Sequence, residues 1–249
     1  MTPAVPRAGG LRLLARRNPR AAALLLVVAT VGALTAACSA STNTADNLVG
    51  TFRLDAGRCQ GPGRVPTGSW IAVLNAAANQ AVANPDGGCD NPGYTPLSPG
   101  RDGGLRTGSF QPNPDPTFDP MRNSVAGAIV TPVRFQGLAL GMATDAQDEQ
   151  HAPSGPAVFR PPSATVSNGH LLIDLRSLEI SYAGPPGGTC ATAATTGGCW
   201  DLGSRSVTGT YDARTHRYTA QWFVGEAFTP AGDSLTVHLE GTFAPGGTP

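Results

Sequence analysis

The sequence predicts an all-β fold, either an antiparallel β-barrel or a β-sandwich. Two observations favour this class. Short apolar segments with strand-like alternation recur after residue 48, and no long helical pattern does. The 32 Gly and 23 Pro among the 249 residues lie between these segments, as expected of turns and loops. The expected order is a signal helix over residues 1–37, a tether over 38–48 and a single β domain over 49–245 with two disulfides.

The first 37 residues have the layout of an export signal. Five Arg and no acidic residue occupy residues 1–20, and residues 21–37 carry no charge. The segment ends in Leu34-Thr35-Ala36-Ala37-Cys38, which resembles the lipobox of bacterial lipoprotein precursors. The resemblance implies that the leader is removed and that Cys38 carries a diacylglycerol and a further acyl chain such as palmitate. Alternatives are an uncleaved anchor helix and signal cleavage without lipid.

A lipidated Cys38 would hold the chain on the extracytoplasmic face of the cell membrane, because two or more acyl chains anchor stably. Residues 38–48 are polar and have short side chains, which is typical of a tether. All 17 basic residues are Arg, which indicates a GC-rich genome and predicts an actinobacterial source. Five of them lie in the leader, so the remainder is acidic. An acidic domain argues against nucleic acid as a partner.

Strands are expected wherever apolar segments lie between turn residues. Asn168-Gly169 separates two of them and favours a type I′ hairpin turn. In the last segment Leu235, Val237 and Leu239 alternate with polar residues, which predicts one buried and one wet face. The expected strands are Val49–Asp55, Ser69–Leu74, Leu105–Gln111, Val125–Phe135, Ala139–Ala143, Ala164–Val166, His170–Leu175, Leu178–Tyr182, Ser206–Tyr211, Tyr218–Val224 and Leu235–Phe243. A short helix within Trp70–Val82 is an alternative for the second.

A three-residue motif, Gly followed by Ser or Thr and then by an aromatic residue, occurs four times, beginning at Gly50, Gly108, Gly209 and Gly241. After the second and third copies an Asp, at 119 and 212, is expected to open a turn by accepting backbone amides. The motif is either the trace of an internal duplication or a common way to end a strand. Because the first and last strands both carry it, we expect the ends of the sheet to pair, which would protect its edges.

Four Cys remain once Cys38 is assigned to lipid. Three pairings are possible, and proximity in sequence favours Cys59–Cys89 with Cys190–Cys199. The competing interpretation, a metal site, lacks any CxxC spacing.

Catalytic signatures are missing from the sequence, which contains no GxSxG, HExxH, GxxxxGK or GxGxxG. The acidic run at 145–151 offers Asp145, Asp148 and Glu149 as metal ligands, although a solvated loop is the commoner explanation. Trp70 and Trp222 are candidates for lining a ligand mouth, although both also suit core packing. No cofactor is expected.

Three further polar features have no assigned partner. His216 lies in an expected hairpin turn, and His238 and Glu240 lie on the wet face of the last strand. The run Asn84 to Asn91 is rich in side-chain oxygens, which turns also require.

The sequence therefore predicts a non-enzymatic envelope lipoprotein. Its β domain is expected to bind a small ligand, a lipid or a partner protein, and its lipid to bind the membrane. The alternative is an extracytoplasmic hydrolase, which would need two carboxylates facing each other across a cleft.

Overall fold

A computed structural model describes residues 45–75, 80–148, 157–183, 206–224 and 234–246. These residues confirm the all-β class: the sheets are antiparallel and the helical content is confined to one short 3-10 turn, η1 (Pro85–Gly87). The strands are β1 (Asp46–Asn47), β2 (Gly50–Leu54), β3 (Trp70–Asn75), β4 (Gln80–Ala81), β5 (Thr95–Pro96), β6 (Gly104–Arg106), β7 (Val133–Phe135), β8 (Leu138–Thr144), β9 (Gln147–Asp148), β10 (Ala157–Val158), β11 (Ser163–Ser167), β12 (His170–Asp174), β13 (Leu178–Ser181), β14 (Ser206–Asp212), β15 (Arg217–Val224) and β16 (Ser234–Pro245).

The main sheet has the order β1-β11-β12-β14-β15-β16-β2-β6 and curls into a half-barrel. Strands β1 and β2 belong to one continuous segment, 46–54, which pairs with β11 at its start and with β16 at its end. The expected pairing of the chain's first and last strands is therefore confirmed, with Phe52 opposite Phe243. The curl therefore brings β11, near one end of the strand order, and β16, near the other end, onto the same segment.

Smaller elements pack beside the half-barrel. Strand β3 pairs with the first half of β16, and β2 pairs with the second half along the same edge of β16. Strands β4 and β5 extend this part of the sheet by pairing with β3. A separate sheet has the order β13-β8-β7, and β9 pairs with β10. Asn84 joins these parts, because its buried amide donates to Thr95 Oγ1 at 2.7 Å and to the Arg134 carbonyl at 2.9 Å. Its Oδ1 accepts from the amides of Asp86 and Gln136.

The core lies inside the curl, where alternate residues of each strand meet. Phe52 contacts Tyr218 edge-on with ring centroids 5.0 Å apart and Phe243 at 4.9 Å. As predicted for the last strand, Leu235, Val237 and Leu239 are buried while the polar residues between them are half-exposed. Burying apolar side chains of this size contributes roughly 2 kcal/mol each.

The predicted turns are also confirmed. Asn168 and Gly169 have φ of 51° and 78°, the positive pair that a type I′ turn requires. Asp212 Oδ1 accepts the amides of Arg214 and Thr215, and Asp119 Oδ1 accepts those of Met121 and Asn123.

Two strand expectations need correction. Within Val125–Phe135 only Val133–Phe135 is a strand; the carbonyls of residues 127–129 accept amides from the turn at 100–102 instead of a strand. Within Leu105–Gln111 the strand ends at Arg106, and Thr107 Oγ1 then donates to the Leu48 carbonyl. The short helix considered at the Ala-rich end of Trp70–Val82 falls largely on residues 76–79, which lie outside the described residues, and Gln80–Ala81 beside them is strand β4.

The ordered domain begins earlier than residue 49, because Asp46 and Asn47 pair with β11 and Leu48 is buried. The Cys59–Cys89 disulfide is present, with Cα atoms 5.3 Å apart. The signal segment, Cys38 and the expected Cys190–Cys199 pair lie outside the described residues. In the described part of the chain, no helix has the length and hydropathy needed to cross a membrane.

Candidate functional site

The two Trp residues predicted to line a ligand mouth lie on opposite faces of the main sheet. Trp222 is opposite Val237 and shares its core-facing side, whereas Trp70 is opposite His238 on the other side. Trp222 packs partly buried against the core. The two indoles therefore do not form one ligand mouth.

The predicted metal ligands are only partly described. The Asp145 carboxylate accepts the backbone amide of Asn113 at 3.0 Å, so it fastens a loop. Asp148 lies in β9, and Glu149 falls outside the described residues. Among the residues that the structure describes, no group of three or more His, Cys, Asp or Glu side chains is arranged to hold a metal ion.

A different set of polar side chains meets on the outer face of the sheet. We call Asp55, Trp70, Arg217, His238 and Glu240 the outer-face cluster. Strand register brings its members together: β16 supplies His238 and Glu240, β3 lies on one side of it and β15 on the other. Asp55 follows β2 directly, and its amide donates to the Glu240 carbonyl at 2.7 Å.

Arg217 connects the two carboxylates of the cluster. One guanidinium nitrogen donates to Asp55 Oδ2 at 2.7 Å and the other to Glu240 Oε1 at 2.8 Å. The hydrogen bond to Asp55 is the largest cause of a raised pKa for Arg217, and Glu240 adds to it. All three side chains are partly exposed, so water screens the attraction and the network contributes modestly to stability.

His238 extends the network toward the aromatic side of the cluster. Its ring stacks on Trp70 with centroids 5.0 Å apart and an interplanar angle of 11°. Its Nδ1 lies 3.2 Å from Gln221 Oε1, and its Nε2 lies 3.7 Å from Glu240 Oε2. Burial lowers the pKa of His238, and the nearby Glu240 carboxylate opposes this shift. The neutral form is therefore favoured near pH 7.

A buried hydroxyl fixes the backbone beneath the cluster. Ser69 is fully buried, and its Oγ donates to the Glu240 carbonyl at 3.2 Å while accepting the Glu240 amide at 3.1 Å. The hydroxyl occupies the gap between β2 and β3, where β16 would otherwise lack a partner. Tyr94 adds an edge-on contact to Trp70 at 4.9 Å, which closes the outer side of the indole.

A shallow depression of about 280 Å³ lies beside Arg217. It is lined by Thr210, Tyr211, Asp212, Arg217, Tyr218, Thr219 and Glu240. The hydroxyls of Thr210 and Thr219 bond each other at 2.7 Å, and each keeps further hydrogen-bonding capacity. Arg217 has five N–H donors, of which the two bonds above use two. The depression is suited to a small polar group that both donates and accepts hydrogen bonds.

The carboxylates with displaced pKa values are structural. Asp119 and Asp212 have lowered pKa values because they accept turn amides, and Asp174 because it accepts hydrogen bonds from Arg176. Asp55 and Glu240 both bind the same guanidinium. A general acid needs a raised pKa, so the three lowered carboxyls are unsuited to that role.

Sequence reasoning missed Asp55, Ser69 and Arg217. The alternation of His238 and Glu240 placed both on a wet face, but their partners Asp55, Ser69 and Trp70 lie more than 160 residues earlier in the chain. Only the register of three strands brings these groups together.

No protein-family model, curated protein or solved structure matches the chain.

Proposed function

We propose that the chain is a lipoprotein of the cell envelope, held to the extracytoplasmic face of the membrane through Cys38. Its β domain binds a small polar ligand in the depression beside Arg217. The lipobox-like segment and the polar residues after it support the anchor. The Cys59–Cys89 disulfide supports an oxidising, extracytoplasmic location, where such bonds persist.

The observation that carries the binding proposal is the Asp55–Arg217–Glu240 network. It holds a guanidinium in one orientation at an open surface, and the two carboxylates that flank this single cation leave the local charge negative. Fixed donors and acceptors bind a polar ligand with less loss of side-chain freedom than mobile ones. A neutral polar ligand suits this surface better than an anion does, because Asp212, which also lines the depression, adds further negative charge.

The anchor is tested by changing Cys38. We expect the wild-type chain in the membrane fraction and Cys38→Ala in the released fraction of the same cells. A Cys59→Ala/Cys89→Ala variant is the matched control, because it replaces two other Cys residues, which form a disulfide, and keeps the anchor. Equal membrane association of wild type and Cys38→Ala would contradict the anchor.

The binding site is tested by native mass spectrometry of protein extracted from its own membrane. We expect a retained small molecule in the wild type and its loss in Arg217→Gln. Arg214→Gln is the matched control, because Arg214 lies in the exposed turn beside the depression and does not line it. Equal retention by Arg217→Gln, or a wild type with nothing bound, would contradict the site.

A further inference from the structure

We infer that one end of the half-barrel, formed by the tether entry at Asp46, the turn at 168–169 and the turn at 213–216, faces the lipid bilayer. This inference rests on the proposed anchor at Cys38 and assigns the partner of that end of the domain, a lipid surface.

Three chain segments share this end. Asp46 is opposite Val166, so the chain preceding Asp46 runs toward the 168–169 turn that follows β11. The amide of Tyr211 donates to the Gly169 carbonyl at 2.8 Å, which places β14 against the same turn just before the turn at 213–216. The amide of Phe243 donates to the His216 carbonyl, so the end of β16 is here as well.

The opposite end of the domain is distant from the tether. There Leu74 is opposite Ser234, and Val224 is opposite Leu235. Strand β16 has 12 residues, which corresponds to about 40 Å along the strand. The two ends are therefore separated by a distance comparable to the thickness of a bilayer.

The length of the tether limits how far the near end can lie from the membrane. Residues 38–45 comprise eight residues between Cys38 and β1, and a fully extended chain of this length spans at most about 28 Å. The near end consequently stays within that distance of the lipid. The far end is subject to no such limit and projects into the envelope.

The charges at the near end do not add a strong attraction to anionic lipid. The turn at 213–216 exposes Arg214 and His216, while Asp46 and Asp212 carry negative charge nearby. Since no basic cluster is present in these segments, the acyl chains supply the binding energy. Membrane association is therefore expected to be insensitive to salt.

This orientation also determines where the depression lies relative to the membrane. Arg217 is the first residue after the 213–216 turn and Asp212 the last before it, so the depression opens on the membrane-proximal half of the domain. A ligand held there is presented close to the lipid headgroups.

Fluorescence energy transfer to the membrane tests the orientation. A genetically encoded fluorescent amino acid is placed at Arg214, near the tether, or at Phe223, near the far end of β15; both side chains are exposed. The lipidated full chain is reconstituted in phosphatidylcholine vesicles containing a dilute acceptor lipid. Positions 217 and 223 are about 20 Å apart along β15, so we expect transfer from position 214 to exceed that from 223 at least about twofold.

Cys38→Ala versions of both labelled chains give the background transfer. Vesicle association with equal transfer, or with stronger transfer from position 223, would overturn the orientation and leave the anchor standing. Failure of the labelled wild-type chain to associate with vesicles would overturn the anchor and the orientation together.

Discussion

His238 is the residue that connects the aromatic and charged parts of the outer-face cluster. It stacks on Trp70, donates from Nδ1 to Gln221 Oε1, and lies near Glu240, which Arg217 also binds. Protonation would place a second cation beside the carboxylate that already holds Arg217. The charge state of one imidazole thus affects the whole cluster.

Stability is expected to depend on pH through His238. Burial lowers its pKa in the folded state below the usual 6.5, so the unfolded chain binds the proton more readily. The stabilising contribution is therefore complete above about pH 6.5 and is lost as the pH falls through the folded-state pKa. Urea unfolding at a series of pH values should show this loss in the wild type and a smaller one in His238→Gln.

His170→Gln is the control for this experiment, because His170 is exposed on β12. It should retain the wild-type pH dependence. An unchanged pH dependence in His238→Gln would show that another group is responsible.

Asn84 is expected to be important for stability. Its side chain makes four hydrogen bonds while 1% exposed. Asn84→Ala leaves buried partners unsatisfied, so we expect a loss of about 2–3 kcal/mol in the free energy of unfolding. Chemical denaturation measures it, and Gln60→Ala, which removes exposed hydrogen bonds, should change stability by less than about 0.5 kcal/mol. A similar small change in both variants would contradict this role.

At the level of elements, β16 determines the arrangement, because β15, β2 and β3 all pair with it. At Gly241 the facing backbone of β2 is so near that an added Cβ would lie 1.9 Å from the Arg53 carbonyl oxygen. A side chain at this position would force β2 and β16 apart.

Gly241→Ala is therefore expected to destabilise the fold by at least about 2 kcal/mol, a cost typical of overpacking. Gly246→Ala is the matched control, since its Cβ would meet only an ordinary contact at 3.5 Å. Thermal unfolding followed by circular dichroism compares the two. Equal melting temperatures would mean that β2 and β16 separate easily, contrary to this account.

The Cys59–Cys89 disulfide closes a loop with a sequence separation of 30 residues. In the loop-entropy model such a link contributes about 3.5 kcal/mol. The Cys59→Ala/Cys89→Ala variant should lose up to this amount in urea unfolding. The linked loops flank Trp70 and Tyr94. A loss of global stability with normal surroundings of Trp70 in the folded variant would show that the disulfide affects stability and not the local structure around Trp70. No loss of stability at all would contradict the prediction.

The strands that the sequence predicted best are those with alternating apolar residues, such as β11, β12, β15 and β16. Their alternation indicates a sheet with one buried face, and the Asn168-Gly169 turn sets the register between β11 and β12. The segment 125–132 misled the prediction because Ala126 and residues 128–130 are apolar and buried, yet the carbonyls of residues 127–129 accept turn amides rather than strand amides. Apolar content alone does not specify which backbone partner a segment finds.

The candidate site was largely beyond sequence reasoning. Its residues come from β3, β15, β16 and the segment that follows β2, and several of its contacts span more than 160 residues. Alternation assigned His238 and Glu240 to a wet face, which is correct, but it carries no information on the neighbouring strand. The partners depend on sheet order, which local pattern does not determine.

In the molecule as a whole, the proposed lipid anchor at Cys38 precedes an acidic β domain. Removal of the proposed leader would take five Arg away from a chain whose 17 basic and 17 acidic residues otherwise balance. An acidic domain is not drawn to anionic lipid, so the acyl chains must supply the membrane affinity. The lipidated chain should accordingly associate with vesicles equally in low and in high salt, and a flotation assay measures this. Release of the chain by high salt would show that electrostatic attraction, and not the acyl chains, supplies the membrane affinity.

The modification of Cys38 is the central claim, and the intact mass of the mature protein tests it most directly. The account predicts a chain that begins at Cys38 and carries the added mass of a diacylglycerol and a further acyl chain, with every other Cys in a disulfide. A chain that still carries residues 1–37, or one that begins elsewhere with an unmodified Cys38, would contradict it.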